Sequence, residues 1–136
     1  MQKFLFDECF GHTIVSAISN LVKFHKRNSI VVHLKDLGYL GKPDGIWISE
    51  IGQEYILITS DRARKYGGDK LPTICAEKKV TTVLLSKSMH MQNQFYKASV
   101  IISLWDKFLD LENEILGSQF VLKYSDKRNA QLVKKN

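Results

Sequence analysis

A chain of 136 residues has room for one ordinary domain and its core, but not for two. With 44% hydrophobic and 25% charged residues it falls outside the disordered class, and no apolar run approaches the roughly 20 residues that cross a bilayer. Lysine and arginine number 20 against 14 acids, and the net charge of +6 favours a polyanionic partner. The opening MQKFLFDEC has a lysine and a short apolar burst, but acids follow at once, unlike a signal peptide. A cytoplasmic location is expected. Cys9 and Cys75 belong to no CxxC pair and to no cluster with histidines, so zinc has little support and reduced thiols are expected.

Short apolar runs alternate with helical patterns, which predicts an α/β domain around a mainly parallel sheet. Lys3 to Phe6 reads as a first strand, ending at Asp7-Glu8. Ile14, Val15, Ile18, Leu21 and Val22 recur at helical spacing between Gly11 and Phe24. Ile30 to His33 is a β-branched second strand. Gly38, Gly41 and Pro43 mark a loop, and Ile46 to Ile51 suits a short helix with Pro43 in its first turn. Tyr55 to Thr59 forms a third strand closing on Ser60-Asp61, and a brief helix over Arg62 to Tyr66 is expected before Gly67-Gly68. Val80 to Leu85 reads as a fourth strand. One long helix is expected from Gln92 to Leu111, with Phe95, Ala98, Ile101, Ile102, Trp105, Phe108 and Leu109 on its apolar face. That face packs in the core or offers a surface for a homodimer. Phe120 to Tyr124 suits a fifth strand. From Lys123 onward, Lys123, Lys127, Arg128, Lys134 and Lys135 meet only Asp126, and residues 126–136 read as a basic C-terminal tail, solvated or bound to nucleic acid.

In open parallel sheets, ligands bind beyond the carboxyl ends of the strands. That rule gives Asp7, Glu8 and Asp61 a common address, and Asp44 in the crossover before the third strand can point at the same edge. Gathered carboxylates repel one another, and a hard divalent cation such as Mg²⁺ or Mn²⁺ relieves the conflict while keeping waters and room for a phosphate. Lys42, Arg62, Arg64 and Lys65 flank these acids and suit a phosphate backbone. Each acid also has a local role open to it. Asp44 and Asp61 suit helix starts, Asp7 a turn, and Glu8 the surface. His12 follows the first acids closely, near a metal or simply at a helix start. No nucleophile elbow, GxGxxG or P-loop pattern is present.

The segments KFLFDEC, GKPDGIWI and ILITSD, in this order and spacing from Lys3 to Leu85, resemble the PIN-like domain family. They look closest to its small toxin-type members, akin to the virulence-associated protein C group. The resemblance implies a Rossmann-like three-layer sandwich over residues 1–125, with four to five strands, and metal-dependent ribonuclease chemistry. It implies Asp7, Asp44 and Asp61 as catalytic metal ligands for Mg²⁺ or Mn²⁺, supported by Glu8, Thr59 and Ser60, with Thr59 orienting Asp61. RNA is then the substrate, and a small cognate antitoxin protein of a two-gene type II module the partner. Two departures bear on catalysis. Gly45-Ile46-Trp47 stands where relatives often carry further acids after the position of Asp44, and Arg62-Ala63-Arg64 follows Asp61 where another acid is common. The fourth acid is unassigned, with Asp69 as a candidate without a motif. The alternatives are a non-catalytic PIN-like binding module with a degraded acidic site, and a small phosphate-handling α/β enzyme using Asp7 as nucleophile.

Overall fold

A computed structural model describes residues 1–60, 70–124 and 129–135. Its centre is a six-stranded sheet ordered β2-β1-β3-β4-β5-β6, formed by β1 (Gln2–Phe6), β2 (Ser29–His33), β3 (Tyr55–Thr59), β4 (Thr82–Leu85), β5 (Gln119–Tyr124) and β6 (Ala130–Lys134). The first five strands pair in parallel, and β6 lies antiparallel to β5. The α/β class and the parallel sheet therefore stand as the sequence predicts, with one strand more.

Alternate residues of the strands bury on opposite faces, which makes two cores and three layers. Phe4, Phe6, Ile56, Ile58, Val83, Leu85, Phe120 and Leu122 point to one side. There they meet α1 (His12–Val22), α5 (Gln94–Ser103) and α6 (Trp105–Leu109) through Ile18, Ile101, Trp105 and Phe108. The Phe4 and Trp105 rings lie 4.7 Å apart at that contact. Leu5 and Leu57 point the other way, onto Trp47, Ile48 and Ile51 of α2 (Asp44–Ile51) and Leu71 and Cys75 of α3 (Leu71–Glu77). A fourth short helix, α4 (Lys87–His90), buries Met89 completely.

Gly38 and Gly41, at φ +75° and +79°, make the turns expected of them. Pro43 sits one residue earlier than expected, as the cap before Asp44, and α3 opens with Pro72 in its first turn. The segment 62–66 lies outside the described residues. The long helix expected over 92–111 is broken instead. It ends at Leu104 (φ −101°, ψ 14°), resumes as α6 and finishes in a 3-10 turn over Asp110–Asn113. Ser103 Oγ donates to Val100 O at 2.8 Å next to the break, as Ser99 Oγ does to Tyr96 O within α5.

The other difference lies at the C-terminus. Residues 130–134, read as part of a basic tail, carry β6, in register from Phe120↔Lys134 to Tyr124↔Ala130. Alternation explains it: Ala130 and Leu132 turn onto the core while Gln131 and Val133 face out. Truncation after Asn129 should therefore cost on the order of 2 kcal/mol, from five cross-strand pairs at a few tenths each. Urea denaturation measures it; an inert tail predicts no change.

Candidate functional site

Along the sheet, the chain moves from β1 outward to β2, then crosses back over β1 to β3 and continues outward on the other side. Crossovers on either side of β1 and β3 diverge, and in open parallel sheets such a switch point is where ligands bind, at the carboxyl ends of the strands. Asp7 follows β1 at that edge, and Ser60 follows β3.

Asp7 is only 4% exposed. A buried carboxylate needs hydrogen-bond donors, and the neighbouring strand and its own loop supply them. The Thr59 hydroxyl donates to Asp7 Oδ2 across the β1–β3 pair, and Cys9 N–H donates to Oδ1 at 3.0 Å. Asp7 N–H continues the ladder to Ile58 O. The hydroxyl expected to orient Asp61 thus bonds Asp7. Ser60 is buried too; its hydroxyl makes no well-formed hydrogen bond, with the Cys9 thiol as its near neighbour. Burial pushes that thiol above its ordinary range and the Asp7 charge adds to the shift, while Ser60 opposes it.

Asp44 is half-buried at the first position of α2, where its Oδ1 accepts the Trp47 indole N–H at 3.1 Å. Behind that helix, burial chiefly pushes the Cys75 thiol up to about 11, and the charges of Asp44 and Asp7 add to the shift.

Of the other expected residues, Glu8 is exposed beside Asp7, and Lys42 is exposed with its ammonium 5.5 Å over the Tyr39 ring. Asp61, Arg62, Arg64, Lys65 and Asp69 lie outside the described residues. Among the described residues no three of His, Cys, Asp and Glu close into a group that would hold a metal ion. His12 opens α1 and pairs with Asp36 at 2.6 Å.

Two features escape sequence reasoning. Lys97, on α5, is 3% exposed, with its ammonium 5.4 Å over the Phe10 ring and donating to His90 O at 3.4 Å. Burial lowers its pKa, and the Cys9 and Asp7 charges partly restore it. A lysine inside an apolar helical pattern is the only signal it leaves. The second is a brace on the loop after Asp7. His33 Nδ1 accepts Lys35 N–H, so Nε2 carries the proton donated to Phe10 O at 2.8 Å. Asp36 closes the brace by accepting His33 N–H.

No family model matches the sequence, and comparison with curated proteins and with solved structures finds no match either. No helix among the described residues is long and apolar enough to cross a membrane.

Thr59→Val keeps the shape and removes the hydroxyl from a buried carboxylate. A loss of about 1–3 kcal/mol in urea unfolding at neutral pH is expected. A second expectation concerns pH. The His33 backbone N–H, aided by His12, holds Asp36 below its ordinary value of 3.8. Its stabilising contribution is complete above that value and is lost as pH falls through the lower folded one. Asp36→Asn should flatten the acid limb of the stability profile in that window, read by thermal melts from pH 5 downward.

Proposed function

We propose that this chain is a PIN-like, metal-dependent ribonuclease, the toxin of a type II two-gene module. One observation carries the reading. A buried carboxylate, Asp7, stands at the switch point of a parallel sheet, gripped by Thr59 and by Cys9 N–H. Burying a charge is costly, and a fold that does so at a ligand-binding edge suits a function more than a turn.

Asp7, Asp44 and Asp61 would hold Mg²⁺ or Mn²⁺, and oxygen donors of this kind fit a hard divalent cation. The ion would polarise an RNA phosphodiester and ready a water for attack at neutral pH. The chain's own work is positional. Thr59 fixes the Asp7 carboxylate on the sheet, and the His33 brace fixes the loop that brings Cys9 N–H onto it. Lys97 sets positive charge behind the acids, and Lys42, Arg62, Arg64 and Lys65 would receive the phosphate backbone. Glu8 would stand at the rim. A small antitoxin protein would complete the module.

The alternative in which Asp7 is itself a nucleophile predicts a phospho-aspartate at Asp7, which a phosphate mimic would trap. A non-catalytic module remains separable by experiment. Asp7→Asn and Asp61→Asn should each lower Mn²⁺-dependent cleavage of single-stranded RNA by on the order of 100-fold or more, because metal charge stabilisation is worth several kcal/mol. Undiminished cleavage or toxicity in both variants would sink the reading. An absent calorimetric signal on titrating the wild type with Mn²⁺ would favour the binding module.

A further inference from the structure

Phe95 is 80% exposed, although the sequence pattern places it in the apolar stripe of its helix. The residues around it are all secured. Asn93 caps the helix by accepting Tyr96 N–H at 2.8 Å. The Gln94 amide donates to Cys9 O and its oxygen accepts Gly11 N–H, both at 3.3 Å. Tyr96 packs edge-on against Tyr124 at 5.9 Å, and Lys97 is buried over Phe10. Residues 93, 94, 96 and 97 are thus turned to structural work, and the Phe95 ring alone is held out on a rigid first turn. Its mount is the Asp7 loop itself, since the Cys9 that Gln94 binds through its carbonyl also donates its N–H to the Asp7 carboxylate.

We propose that Phe95 is a stacking platform for an unpaired RNA base beside the Asp7 loop, an inference that rests on the ribonuclease reading. The size of the patch favours this occupant. A phenylalanine offers about 200 Å² of apolar surface, and at 80% exposure most of this ring is open to solvent. It matches one or two nucleobases. Every base presents a π-face, whereas a duplex keeps that face covered by its neighbours. The net charge of +6 supplies the long-range attraction that a lone aromatic ring lacks.

Phe24 provides an internal control. It is 88% exposed, yet it follows the far end of α1, toward the amino ends of the strands. Binding of a fluorescent single-stranded RNA and of its duplex form should be measured by anisotropy, in Mn²⁺, for the wild type, Phe95→Ala, Phe95→Trp and Phe24→Ala. Loss of one stacked base should weaken single-strand binding by Phe95→Ala about tenfold. Phe95→Trp should restore it, and Phe24→Ala and duplex binding should be unchanged. Wild-type affinity in Phe95→Ala overturns the proposal, as does an equal loss on duplex, or a wild type that binds no RNA. A shift from dimer to monomer in Phe95→Ala with RNA affinity intact overturns it in favour of a second copy of the chain. Cleavage by Asp7→Asn, measured in parallel, reports on the catalytic reading separately: if it persists while Phe95→Ala binds weakly, the chemistry fails and the platform stands.

Discussion

A strand buried on both faces leaves its last side chain no easy exit, and β1 is such a strand. Its neighbours are β2 on one side and β3 on the other, and helices cover it above and below. Asp7, the residue that ends it, is carried into the interior by the same register that buries Phe4, Leu5 and Phe6. The carboxylate must then be satisfied by whatever lies across the ladder, and Thr59 lies there. The pairing of β1 with β3 thereby fixes the core and the chemistry of its edge in one step. The loop that follows serves the same end: Cys9 turns back onto Asp7, and Phe10 is pinned by His33.

Charged groups stand in both helical layers: Asp44 opens α2 on one side of the sheet, and Lys97 is buried on α5 on the other. Neither Cys9 nor Cys75 suits nucleophilic work there. Both thiols are pushed above their ordinary range, chiefly by burial and further by the acids, which keeps them protonated and weak as nucleophiles.

Much of this arrangement was legible in the sequence because alternation and β-branching mark buried strands directly. The strands around Phe4, Val31, Leu57, Val83 and Leu122 are found where their patterns predict. Strand ends alone gave Asp7, Glu8 and Asp61 a common address; Asp7 and Glu8 follow β1 as expected, and Asp61 lies outside the described residues. What escaped depends on three dimensions. An apolar stripe does not say how a helix is rotated, so Phe95, expected on the apolar face, is exposed, while the burial of Lys97 was not anticipated. The break at Leu104 leaves no mark in the apolar pattern, which runs through it. Lys134 made the last segment look like tail, although Ala130 and Leu132 had the alternation of an edge strand. The helix at Leu71–Glu77 was missed because its short pattern follows a glycine pair and a proline.

The route of the chain has a consequence in time as well as in space. The β5–β6 pair joins segments close in sequence, while β1 and β3 are separated by a whole crossover, an outer strand and another helix. Loop-closure entropy makes the second pairing the slower to form. The Thr59–Asp7 bond spans that junction, so it is absent from any chain in which only the local hairpin and its nearest helices have assembled. A nascent or partly unfolded copy therefore lacks an organised acidic centre. Any activity housed there switches on late, with the closure of the whole sheet.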